Sequence, residues 1–154
     1  MGTEIRFRMA TEKDLSRIVE LLADDVLGSK RERYEHPLPN SYLKAFEAIT
    51  SDPNNELVVA IIDNEVIGVQ QITYTPYITH QGGWRATIEG VRISPSVRDK
   101  GVGTQLIKWA IQRAEERGCF LVQLTTDKNR LDALRFYERL SFKATHEGLK
   151  LRLP

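Results

Sequence analysis

A single cysteine, Cys119, in a chain of 154 residues excludes an internal disulfide and fits a reducing compartment. No apolar run approaches the roughly 20 residues that a membrane helix needs. Charge of one sign is also missing: 22 Lys and Arg against 21 Asp and Glu leave a net charge of +1. Such a balance gives no electrostatic footprint for nucleic acid or an acidic membrane. The three histidines, His36, His80 and His146, are too scattered to suggest a metal site. The N-terminus is polar before a short Ile5, Phe7, Met9 alternation, unlike a signal or transit peptide. These absences point to a soluble, cytoplasmic protein. What is present is an ordinary globular balance, 41% apolar and 28% charged, with a length that suits one domain over residues 1–154.

The patterning predicts alternating strands and helices. Residues 5–9 read as a strand, and Thr11 to Asp14 as a capping box. Leu15, Ile18, Val19 and Leu22 then form one helical face. Residues 31–40, with two prolines and no period, read as a loop, followed by a short helix over 42–49. Strands are expected at 57–62 and 66–75, joined by a tight Asp63-Asn64 turn. A loop over 76–84 leads to a strand at 85–93. A helix over 102–117 follows, striped by Val102, Leu106, Ala110 and Ala114 and stopped by Gly118. A buried strand over 120–126, a helix over 131–140 and a last strand over 143–153 complete the chain. A strand, helix and strand in succession place their strands parallel, whereas the earlier hairpin is antiparallel. The expected fold is therefore α/β or α+β, with a mixed sheet flanked by helices.

The most informative stretch is Ser94-Pro95-Ser96-Val97-Arg98-Asp99-Lys100-Gly101-Val102-Gly103-Thr104. It leaves a strand and opens a helix, whose first-turn N–H groups and positive dipole end suit a phosphate. Gly101 and Gly103 allow close backbone approach, and Arg98 and Lys100 add positive charge. A dinucleotide fingerprint would need glycine at Leu106, and a Walker loop would need Gly-Lys-Ser/Thr, so both are rejected. The plainer alternative is that the glycines only shape a tight strand-to-helix turn.

Arg98-x-x-Gly101-x-Gly103 resembles the Q/R-x-x-G-x-G/A signature of the GNAT superfamily of N-acetyltransferases. The segment from Ala133 to Phe142, with Phe136-Tyr137-Glu138 at its centre, resembles that family's A-x-x-F/L-Y-E-x-L-G-F block. The resemblance covers the whole chain and implies the GNAT fold, acetyl-CoA as cosubstrate and an amine as acceptor. It implies that backbone amides of Arg98, Asp99, Lys100, Gly101, Val102, Gly103 and Thr104 hold the pyrophosphate. The pantetheine arm would pair along Val91, Arg92 and Ile93, and the acetyl group would sit where the 85–93 and 120–126 strands splay apart. The likeness also implies a homodimer.

Three positions depart from the family pattern. Asp99 stands where the family has glycine, so its side chain must point away from the pyrophosphate. Ser141 replaces the glycine of L-G-F, so that turn cannot need a residue that only glycine supplies. Arg130 occupies the usual asparagine position, one place from Asn129; both are candidates for cofactor contact. The run from Lys128 to Tyr137, followed by Thr145-His146, resembles the aminoalkylphosphonate acetyltransferases and implies a small amine acceptor.

Acetyl transfer to an amine needs a proton acceptor, a polarised carbonyl and a proton for the leaving thiolate. Glu89 is the candidate base, expected on one strand face with Thr87, Val91 and Ile93 and partly desolvated there. The competing reading turns Glu89 to solvent through a bulge, or pairs it with Arg92 or Arg85. Tyr137 is the candidate acid: the family places this hydroxyl near the cofactor sulfur, although Leu134, Tyr137 and Leu140 also make a core stripe. Backbone N–H groups near Val91 would polarise the carbonyl if a bulge freed one. Asp24 and Asp25 would either attract a cationic amine or simply end the first helix. Cys119 reads as a small hydrophobe at the start of a buried strand. The rivals to a small-molecule N-acetyltransferase are a protein or peptide N-acetyltransferase and a non-catalytic acetyl-CoA-binding regulator.

Overall fold

The computed structural model describes residues 4–154. Five strands form one sheet in the order β1 to β5: β1 Arg6–Met9, β2 Asn55–Ile62, β3 Glu65–Pro76, β4 Trp84–Ile93 and β5 Cys119–Leu124. The first four pair antiparallel, and β4 pairs parallel to β5, giving the expected mixed sheet. The helices are α1 Leu15–Ala23, α2 Val26–Arg31, α3 Asn40–Ser51, a single turn α4 Thr79–Gly82, α5 Val102–Glu116 and α6 Leu131–Arg139.

Each face of the sheet is covered. Leu15, Ile18 and Leu21 of α1 and Phe46 of α3 pack on Val59, Ile61 and Val69. On the opposite face, Ile107, Ala110 and Ala114 of α5 pack on Val58, Ile72, Ala86 and Ile88. The expected α5 stripe is therefore present, with Ile107 added. In α1 the fully buried fourth residue is Leu21, whereas Leu22 is half-buried. The Thr11 amide donates to Asp14 Oδ2 at 2.7 Å, as a capping box requires. Asp63 and Asn64 both have positive φ, 48° and 65°, the conformation of a two-residue hairpin turn that matches strand twist. Buried Glu56 of β2 accepts from Arg113 of α5 at 2.7 Å and from the Tyr74 hydroxyl at 3.0 Å, bolting α5 to the hairpin.

Several expectations are corrected. Arg31, expected at the start of a loop, instead ends a helix over 26–31, α2, whose start is capped by the Asp25 carboxylate accepting from the Gly28 amide. β5 is a half-exposed edge strand rather than a buried one. The strand expected over 143–153 does not form: these residues are exposed, without helix, turn or bend. Their alternating pattern finds no partner strand among the described residues.

Ser141 corrects another expectation. Its φ is 72°, so this turn does use the conformation glycine favours. The Ser141 amide donates to the Glu138 carbonyl and the Phe142 amide to the Tyr137 carbonyl, at 3.0 and 3.1 Å. These two bonds, with the Phe142 ring against Tyr137, form a Schellman stop to α6. A serine held there costs about 1 kcal/mol relative to glycine. Ser141→Gly should accordingly raise the melting temperature by roughly 2–4 °C; an unchanged or lowered value would show that the serine hydroxyl compensates.

Candidate active site

The central feature is a splay between β4 and β5. Their pairing runs from Trp84↔Cys119 to Ile88↔Leu124 and then stops, while β4 continues to Ile93. Residues 89–93 thus present one edge with no strand partner among the described residues.

A bulge lies at the start of that free edge. Gln71 pairs with Glu89 and Val69 with Arg92, so Gly90 and Val91 together oppose the single residue Gln70. Gly90 has φ 62°, which suits glycine at a bulge. The extra residue reverses the alternation. Before it, Ala86 and Ile88 face α5, while Glu89 is exposed on the other side. After it, Val91 and Ile93 pack on the α5 side, while Arg92 turns toward α2. The expected shared face of Thr87, Glu89, Val91 and Ile93 therefore does not exist, and the expected desolvation of Glu89 is absent.

Beyond the splay, the phosphate-loop candidate has the required form. Gly101, with φ 77°, is the residue before α5, and a Cβ built on it would meet nothing within 4 Å. The glycine at 103 has a different role: a Cβ there would lie 3.3 Å from the Phe136 ring and 3.7 Å from Ile93, so its absence lets α6 pack close to α5. Asp99, at φ 65°, takes the left-handed conformation that explains a glycine at this place. Arg98 reaches Asp24 at 3.4 Å, while Asp99 and Lys100 are exposed.

Tyr137 of α6 comes close to this edge. Its ring sits edge-on to Phe136 and Phe142, with centroids 5.1 and 5.8 Å away. Its hydroxyl makes no hydrogen bond to another described residue. Burial pushes its pKa up, and the cations of Arg92 and Arg130 only partly oppose this.

Arg92 and Arg130 converge on Asp25. Arg130 Nη2 lies 2.5 Å and Arg92 Nη2 3.5 Å from Asp25 Oδ2. Burial works against the Asp25 charge, but the Gly28 amide and the two arginines outweigh it and hold its pKa below the ordinary value. The stability this contributes is present above the usual carboxylate range and is lost as pH falls through the lowered pKa. Burial and the neighbouring Arg130 push the Arg92 pKa down, and its Nε is buried without a partner among the described residues. Asp25 is thus engaged by two arginines, whereas Asp24, exposed after α1, makes a single surface pair with Arg98. Asn129 is exposed, its amide donating to Asp127 at 2.8 Å, whereas Arg130 turns inward.

A polar wall borders the same mouth. Gln123 donates to Thr87 Oγ1 at 3.1 Å, and the Arg85 guanidinium lies 4.4 Å from the Tyr77 ring centroid. His80 is exposed with its ring 5.0 Å from that of Phe120, and burial raises the Cys119 thiol pKa. Sequence reasoning missed the Asp25 cluster, although an aspartate just before Val26 is an N-cap signal. The bulge near Val91 that turns Glu89 to solvent stood in the sequence only as the competing reading, although a glycine inside a strand marks such features.

The comparisons agree with this geometry. The model of the acetyltransferase (GNAT) family matches residues 19–142. The chain belongs to the GNAT acetyltransferase family, and is an acetyl-CoA-dependent acyltransferase. It is 31% identical over 106 residues to the aminoalkylphosphonate N-acetyltransferase of Salmonella typhimurium, covering 69% of this chain and 68% of that one. It is 31% identical over 88 residues to the glucosamine 6-phosphate N-acetyltransferase of Trypanosoma brucei brucei, covering 57% and 58%. A solved structure described as a transcriptional regulator from Bacillus halodurans superposes with a TM-score of 0.95 at 61% identity, over 97% of this chain and 100% of that one.

Proposed function

We propose that this protein is a cytoplasmic, single-domain N-acetyltransferase that moves the acetyl group directly from acetyl-CoA to the amine of a small molecule. The observation that carries the reading is the free β4 edge at 89–93, lying between the α5 N-terminus and Tyr137. The open space at Gly101 and the unpaired first-turn amides of α5 suit a pyrophosphate held by residues 98–104. The β4 edge at Val91 to Ile93 suits the amide-bearing pantetheine arm, with Arg130 and Asn129 flanking it. Acetyl-CoA supplies an activated acyl group and a thiolate leaving group.

The chain's own residues supply proton handling and charge. Tyr137, kept protonated by burial, donates its hydroxyl proton to the departing sulfur. Backbone N–H at the Gly90-Val91 bulge polarises the acyl carbonyl. Glu89, exposed at the mouth, takes the amine proton through water. Arg92 and Arg130 suit an acceptor that carries an oxyanion beside its amine, as the phosphonate and phosphate substrates named for the Salmonella and trypanosome relatives do.

The test is a panel of acceptors assayed for CoA release: aminoalkylphosphonates, amino sugar phosphates, uncharged amines and peptides. Aminoalkylphosphonates or amino sugar phosphates should turn over fastest. Faster turnover of peptides would replace the small-molecule reading with a peptide acceptor. No turnover with any amine, alongside intact acetyl-CoA binding, would favour a regulator. With a good acceptor, Glu89→Gln should be slow near neutral pH and recover as pH approaches the acceptor's own pKa, because the amine then arrives neutral. Parallel pH profiles of kcat/KM for the two proteins would remove Glu89 as base.

A further inference from the structure

Hydrogen bonds have direction, and along one wall of the acceptor mouth that direction is fixed. The Arg85 guanidinium lies against the rings of Tyr77 and Phe120, 4.4 and 5.6 Å from their centroids. Its Nη1 donates to Gln123 Oε1 at 3.5 Å. A guanidinium carries only donors, so turning the Gln123 amide over would set its N–H groups against those of Arg85. Gln123 therefore keeps Oε1 toward Arg85 and Nε2 toward Thr87. That Nε2 donates to Thr87 Oγ1 at 3.1 Å.

Thr87 is thus an acceptor toward Gln123, and its own hydroxyl proton has to go elsewhere. It finds no acceptor among the described residues. Thr73, opposite Thr87 on β3, donates to Asn55 Oδ1 at 2.9 Å and makes no bond to Thr87. Thr87 is half-buried on the sheet face away from α5, the face that also carries Glu89 and Arg92. On β3 the partners of these three residues are Thr73, Gln71 and Val69, in steps of two. At about 3.4 Å per residue, Thr87 and Arg92 flank Glu89 by roughly 7 Å on either side.

We infer that Thr87 donates its hydroxyl proton to the acceptor substrate, to an oxygen beside the amine, and that Gln123 and Arg85 are positioning residues that aim it. The inference rests on the reading that the amine lies at Glu89 and its anionic group at Arg92 and Arg130. Within that reading it selects a substrate class. The acceptor carries a hydroxyl next to its amine as well as an anionic group, as an amino sugar phosphate does. A plain aminoalkylphosphonate has nothing to offer Thr87.

Calorimetric titration of the CoA-bound protein tests this without turnover. One probe is glucosamine 6-phosphate, with hydroxyls on both carbons next to the one bearing the amine. The other is aminoethylphosphonate, with none. The wild type should bind the amino sugar phosphate more tightly. Thr87→Val should lower the ratio of the two affinities about tenfold, the upper end for one neutral hydrogen bond. Thr87→Ser, which keeps the donor, should restore it. Gln123→Glu reverses the chain: its carboxylate accepts from both Arg85 and Thr87, which turns the Thr87 proton away from the mouth. It should lower the ratio as Thr87→Val does, without lowering the melting temperature. A purely structural Gln123 predicts a changed melting temperature and an unchanged ratio. If Gln123→Glu fails to fold, Thr87→Val against Thr87→Ser carries the test. Tighter binding of aminoethylphosphonate by the wild type, an unchanged ratio in Thr87→Val, or binding of neither probe would overturn the inference. Binding without CoA release would instead overturn the acetyltransferase reading and leave the Thr87 contact standing.

Discussion

Tyr137→Phe is expected to lower kcat about 100-fold, the low end for general acid catalysis, while leaving the affinity for acetyl-CoA near its original value. The separation of the two effects follows from the packing. The ring is held between Phe136 and Phe142, and a phenyl group fills the same place. The hydroxyl has no hydrogen-bond partner to lose among the described residues, so little stability should change. The pH dependence is also fixed in sign. Because burial raises the Tyr137 pKa, the hydroxyl stays protonated at least to the ordinary tyrosine value of about 10. The ratio of wild-type to variant kcat should therefore be flat from neutral to moderately alkaline pH and shrink only above that. Steady-state kinetics across pH with one good acceptor measures this. Equal kcat values would return Tyr137 to a purely structural role.

Gly101→Asp should weaken acetyl-CoA binding by 100-fold or more. Its Cβ points into open space, so the substitution meets no clash, and aspartate tolerates the left-handed conformation better than most residues. What it adds is a negative charge at the α5 N-terminus, where a unit charge about 4 Å from another is worth roughly 4 kcal/mol near a protein surface. Gly101→Asn is the control, with the same size and backbone tolerance but no charge. Acetyl-CoA at 100 times Kd should stabilise the wild type by about 2.7 kcal/mol, a melting shift of roughly 5–10 °C. The asparagine variant should keep most of that shift and the aspartate variant at most about 1–2 °C of it. A full shift in a folded Gly101→Asp protein would move the pyrophosphate away from this loop.

The parts of the fold that the sequence made legible are those governed by local pattern. The 3.6-residue stripe gave α5, the Asp63-Asn64 pair gave the hairpin, and the glycine before Val102 marked the entry to α5. The parts it hid depend on contacts between distant residues. Nothing local to Asp25 announces Arg92 and Arg130, which lie 67 and 105 positions further along the chain. A strict period of two along β4 placed Glu89 and Val91 together, and the bulge separated them. The pattern of 143–153 is truly strand-like, but pairing needs a second strand, and the sequence does not say on which molecule that strand lies. Ser141 illustrates a further limit: side-chain identity reveals the preference of a residue, whereas the Schellman bonds and the Phe142 contact overrode it at modest cost.

The bulge in β4 also sets how this protein tolerates length changes. Loops such as residues 32–39 gain or lose residues at small entropic cost, because their ends stay in place. Losing Gly90 would leave Ile88, Glu89, Val91, Arg92 and Ile93 in strict alternation, each still on the face it now occupies, with Val91 alone opposite Gln70. The core would keep its side chains, and the local kink and extra twist of the bulge would go. A single-codon deletion at this glycine would thus spare the packing and straighten the strand end.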